Sequence, residues 1–238
     1  MEQLRENLKR LYHDFFVDMK IDQQTGIVNG TNRRFTGYPY IGGNYINAPV
    51  KILFIPLDVG VDERENENTY HTFESRKDIF PSGKLDFNPH IAGLYATALY
   101  ILKEKMGLQA AWDALWGNRK YNNVKAINLA YDSLPKDLMS YVAYENRFRF
   151  VTIGRKERSG GNDRVWINPK REGQLLVTEI NAFSPDIIVF QGKYGLGNCH
   201  IDELKEKYKV VIAYHPSCWQ HRANRLEYIV DHIGPQLL

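Results

Sequence analysis

Cysteine is scarce in this chain, with two thiols, Cys199 and Cys218, in 238 residues. Two are too few for a disulfide scaffold or for a four-cysteine iron-sulfur or zinc centre. Cys199-His200 together with Cys218 and His221 offer four soft ligands, but the matched pair spacing of zinc sites is missing. Buried or idle thiols are the simpler reading, and no metal or cofactor is expected. Long apolar runs are also lacking. None approaches the roughly 20 residues needed to cross a bilayer, and the first stretch, MEQLRENLKRLYHDFF, is amphipathic. This predicts a soluble, cytoplasmic protein with no membrane partner. A glycine-rich phosphate loop is missing as well: IPLDVGVDE, which ends the first apolar run, fits neither the Walker pattern nor G-x-G-x-x-G. That argues against a nucleotide-binding α/β protein of unrelated chemistry.

Charge is nearly balanced, at +3 overall, so the total points to no partner. Its distribution is uneven. Residues 147 to 171 hold Arg147, Arg149, Arg155, Lys156, Arg158, Arg164, Lys170 and Arg171 against only Glu157 and Asp163. A basic patch on a mildly acidic body suits a polyanion bound at one face, because neutralising phosphates releases counterions. A solvated basic loop has the same composition.

Four apolar runs rich in β-branched and aromatic residues read as strands: KILFIPL (51 to 57), YVAYENRFRFV (141 to 151), DIIVFQG (186 to 192) and KVVIAYH (209 to 215). The first, third and fourth are almost continuously apolar, as in strands covered on both faces. Helical patterns surround them. Leu4, Leu8, Leu11, Phe15 and Met19 recur at helical spacing, and HIAGLYATALYILKEKM (90 to 106), REGQLLVTEINAF (171 to 183) and HIDELKEKY follow the same logic. The expectation is one α/β domain over 1 to 238, a three-layer sandwich with a central four-stranded, mainly parallel sheet flanked by helices. Residues 1 to 48 form an N-terminal helix and irregular extension, and 49 to 238 the core. Three stretches, 30 to 45, 60 to 89 and 154 to 164, read as irregular. Loops of such length in a compact domain are usually functional.

In an open parallel sheet the binding crevice lies beyond the carboxyl ends of the strands. Asp58, Asn146, Gln191 and His215 stand at those ends. A carboxylate, amides and an imidazole converging there suit hydrolysis with polar recognition of a flat substrate. Each residue also has a plainer role. Asp58 fits a turn or helix cap, His215 fits a packed histidine held extended by Pro216, and a buried Asn146 needs partners of any kind.

The segments IPLDVG (55 to 60), AYENRFRFV (143 to 151) and YHPSCW (214 to 219), with EINAFSPDIIVFQG (179 to 192), together resemble the uracil-DNA glycosylase superfamily over roughly residues 50 to 230. The chain resembles a divergent member without the iron-sulfur cysteines. The resemblance implies a monofunctional DNA glycosylase, acting as a monomer on DNA, that flips out and hydrolytically excises a uracil or modified pyrimidine and leaves an abasic site. Asp58 then holds the attacking water and His215 stabilises the departing base. Asn146 reads the pyrimidine edge, with Phe87 as the aromatic that stacks on it. Gly60 stands where relatives carry a tyrosine that walls off bulky groups on the ring, which leaves room for a 5-substituted pyrimidine. Ser217 corresponds to the phosphate-binding serine, and Trp219 to the wedge that fills the vacated stack. Arg155, Lys156, Arg158 and Arg222 are candidate phosphate contacts. The biological setting, DNA repair or defence against modified foreign DNA, stays open. A module that binds such DNA without cutting it is the alternative.

Overall fold

The computed structural model describes residues 1 to 57, 69 to 76, 88 to 153, 166 to 193 and 196 to 238. Helix α1 spans Glu2–Met19 and precedes two short strands, β1 (Arg33–Phe35) and β2 (Tyr40–Ile41). Strand β3 (Ile52–Ile55) is followed by three helices, α2 (Pro89–Leu102), α3 (Gln109–Trp116) and α4 (Asn123–Ala130). Next come β4 (Val142–Tyr144), β5 (Phe150–Thr152), α5 (Pro169–Phe183), β6 (Ile187–Gln191), α6 (Ile201–Lys207) and β7 (Lys209–Ala213). A last helical stretch runs through Leu226–Tyr228, a π turn at Ile229–Ile233, and Gly234–Leu237.

The central sheet has five strands in the order β2-β4-β3-β6-β7. Strands β4, β3, β6 and β7 are mutually parallel and β2 adds an antiparallel edge. Side chains alternate between its faces, as the pleat requires. Ile52, Phe54, Val142, Tyr144, Val189 and Val211 point to the layer of α2, α3, α4 and the C-terminal helix. Leu53, Ile55, Ala143, Ile188 and Phe190 point to the layer of α1 and α5. Each fully buried aliphatic or aromatic side chain contributes about 1.5–3 kcal/mol. The near-continuous apolar runs of β3 and β6 therefore follow from burial on both sides.

Two expectations need correction. The sheet has five strands rather than four, because Tyr40–Ile41, in a stretch read as irregular, pairs with Ala143 and Tyr144. The run 141 to 151 is two strands, not one. Its first part lies in the central sheet, and Phe150–Thr152 leaves to pair antiparallel with β1. The charged residues between them explain the break, since Glu145 and Arg149 turn inward to find partners instead of continuing the apolar ladder.

Helix starts follow local chemistry. Asn88 accepts from the Ile91 N–H at 2.9 Å ahead of Pro89, and Asn168 caps α5 ahead of Pro169 in the same way. Connectivity then sets the working edge. The chain leaving β3 crosses one face toward β4, whereas β6 leads through α6 to β7 on the other side. These two adjacent strands form the topological switch point, and their carboxyl ends open a crevice. No helix among the described residues is long and apolar enough to span a membrane.

Candidate active site

Described side chains gather at that crevice from four elements. His215 follows β7, Gln191 ends β6, Tyr144 ends β4 with Asn146 two residues on, and His90 is the second residue of α2. The His90 and His215 rings lie 4.7 Å apart, and the His90 and Tyr144 rings 5.9 Å. Asn146 is buried, and its Oδ1 accepts from the Tyr144 hydroxyl at 3.0 Å.

The tautomer of neutral His215 follows from its turn. The Ser217 backbone N–H donates to His215 Nδ1 at 3.3 Å, and the Ser217 hydroxyl lies 2.7 Å from the same nitrogen. A nitrogen that accepts a backbone proton carries none, so the ring proton sits on Nε2. His215 thus presents one N–H donor from a half-buried ring. The turn is closed by Cys218 N–H donating to His215 O at 2.8 Å, and the strand end is held by Tyr214 N–H donating to the Tyr228 hydroxyl at 2.8 Å.

His90 stays neutral. Burial, then the facing His215, push its imidazole down to about 3, while Gln191 pulls weakly the other way. His90 Nε2 and Gln191 Oε1 are both buried and interact with each other without completing a well-formed hydrogen bond. A loosely met polar pair at the sheet's working edge can give up that contact to a polar ligand. Sequence reasoning put Gln191 at a strand end and passed over His90. The available signal was Asn-Pro-His at a helix start, which sets an imidazole on the first turn of a helix whose amino end meets the sheet's working edge.

Gly93, one turn along α2, lets the helix touch the His-Pro-Ser turn. A Cβ there would stand 2.2 Å from Pro216 Cβ. Gly192 serves β6 likewise, with φ of +114° and Leu57 directly beneath it. Asp58, Gly60 and Phe87, and the basic residues Arg155, Lys156 and Arg158, lie outside the described residues. Leu57, which delivers the chain to Asp58, is buried, and its carbonyl accepts from Phe148 N–H at 2.8 Å.

The basic patch needs revision. Arg147 and Arg149 have no exposed surface. Arg149 pairs with Glu145 and Glu179, the Tyr12 hydroxyl donates to Glu179 with Glu145 also within reach, and Arg147 Nη2 donates to Gly192 O at 2.7 Å. Alternation of charged and aromatic residues reads as a surface stripe in sequence, whereas here the charges satisfy one another inside. Burial pushes Glu145 up to about 7 against the pull of Arg149, and pushes Glu172 up to about 7 as well. Ser217 is half-buried on the His215 ring, Arg222 is exposed, and Trp219 is 70% exposed. Cys199 and Cys218 belong to opposite faces of the sheet, so the four soft ligands weighed above do not meet. Against protein-family models and against curated proteins the chain finds no match.

Proposed function

We propose that this chain is a monofunctional DNA glycosylase with a uracil-DNA glycosylase-like three-layer fold, hydrolysing the N-glycosidic bond of a flipped uracil or 5-substituted pyrimidine. The observation that carries the reading is the convergence, at the switch point, of the His215 Nε2–H donor with the buried Asn146 and Gln191 amides and the neutral His90 ring. Cleavage of the bond between base nitrogen and C1′ sends the electron pair to the base and leaves positive charge on the sugar. The His215 N–H suits the carbonyl oxygen where negative charge develops. Asp58, delivered by β3, takes the carboxylate role. It balances the sugar cation and receives a proton from the water whose oxygen adds to C1′. Asn146 and Gln191 supply amide edges for the base. No metal or cofactor enters the reaction. His90, kept neutral by burial, lies 4.7 Å from the His215 ring.

The test is incubation with duplexes carrying uracil, thymine mismatches or 5-modified cytosines, followed by strand cleavage at abasic sites and mass spectrometry of released bases. Asp58→Ala and His215→Ala should each lower the rate about a hundredfold or more. No release from any duplex by the wild type, together with tight DNA binding, replaces the enzyme reading with a binding module.

A further inference from the structure

Trp219 forms one wall of a recess of about 370 Å³ whose other sides include Pro89, Asn122, Asn123, Lys125 and Asn224. Asn123 and Asn224 are 2% and 4% exposed. Both the Oδ1 and Nδ2 of Asn123, and the Nδ2 of Asn224, are buried without a hydrogen-bonding partner. Leaving such groups unmet costs about 1–3 kcal/mol each, so native interiors keep few of them. The wall is firmly built: Asn123 N–H donates to Asn224 O at 2.8 Å, and Asn122 bridges to Arg225. Trp219 and Asn224 also line a second recess, which carries Lys120, Arg222 and Arg225 together with Glu227 and Asp231.

We propose that the recess beside Trp219 binds a second unpaired nucleobase, distinct from the one held between His90, Asn146 and His215. A carboxamide with donor and acceptor both free matches the edge of a base, where the two functions also sit side by side. An exposed indole supplies the stacking face, and the cations beyond it suit the adjoining phosphates. Pro89 lines this recess and the next residue, His90, lines the crevice, so one strand can fill both. The proposal rests on the nucleic-acid part of the reading above and not on its bond-breaking step.

The experiment compares two short, fluorescently labelled single strands of equal phosphate number by anisotropy. One carries only adenine and unmodified cytosine, the other tetrahydrofuran units without bases. Wild type should favour the base-bearing strand about tenfold, as one stacked and hydrogen-bonded base implies. Trp219→Ala and Asn224→Ala should each reduce that preference to within about twofold while keeping affinity for the abasic strand. Val17→Ala, on the exposed side of α1, should keep the preference. Trp219 is mostly exposed, so its removal remains decisive if thermal melting shows Asn224→Ala unfolded. Equal binding of both strands by wild type overturns the recess alone, as does a preference that survives Trp219→Ala. Failure to bind either strand overturns the nucleic-acid reading as well.

Discussion

A single methyl group at position 93 should separate catalysis from stability. In Gly93→Ala the new Cβ would lie 2.2 Å from Pro216 Cβ and 2.9 Å from its Cγ. Carbon atoms rest at about 3.5–4.0 Å, so helix α2 and the His-Pro-Ser turn must part by more than about 1 Å. Because Cys218 N–H closes the turn onto His215 O, the imidazole moves with the proline. A displacement of about 1 Å costs on the order of a hundredfold in rate. Overpacking costs about 1–3 kcal/mol, and replacing glycine by alanine within a helix returns about 1 kcal/mol. The net loss of about 0–2 kcal/mol lowers the melting temperature by only a few degrees in a chain of this size. The assay is single-turnover base release on the duplex found by the substrate screen, alongside calorimetric melting. Gly43→Ala is the control, since a Cβ there meets nothing within 4 Å. Activity of Gly93→Ala within about threefold of wild type, with the fold intact, would refute the coupling of α2 to the turn.

Other perturbations give outcomes of definite sign. His90 titrates near 3 when folded against an ordinary 6.5, so the unfolded chain binds more protons between these values and stability falls as pH drops below about 6.5. Urea melts at pH 7 and pH 5 should show wild type losing about 2 kcal/mol more than His90→Gln. Glu172 is shifted the opposite way, up to about 7 from 4.5, so its contribution is present at low pH and is lost as pH rises through 7. Glu172→Gln keeps an acceptor for Asn168 N–H and should gain roughly 2 kcal/mol on wild type between pH 5 and pH 8. Arg149→Leu leaves Glu145 and Glu179 unpaired in the interior and should cost about 3–5 kcal/mol by chemical denaturation.

Much of the layered core was legible because burial on both faces leaves a direct trace: β3, β6 and β7 are apolar runs bounded by polar residues, and α1 and α5 carry a helical stripe. Helices α3 and α4 left a weaker trace, since their short segments contribute only Ala111, Trp112, Leu115, Ala126, Ile127 and Ala130 to the core. Strand β2 was hidden by its length, two residues whose pairing is decided by Ala143 and Tyr144 far along the chain. In the site, His215 and Asn146 were readable from position at strand ends. Their closeness to His90 was not, because it depends on Gly93 admitting Pro216, a contact between residues more than a hundred positions apart. The buried arginines were misread for a related reason: sequence shows a charge but not the Glu179 and Tyr12 that neutralise it from other elements.

On the proposed glycosylase reading, the Arg147 tie to the Gly192 carbonyl bears on how base choice is altered in the laboratory. It joins the exits of β4 and β6 through the interior, beside Asn146 and Gln191. A directed-evolution library that keeps Arg147 and Gly192 fixed can therefore search new pyrimidine preferences without each variant having to rebuild that frame. Randomising Arg147 or Gly192 would instead fill the library with misfolded chains.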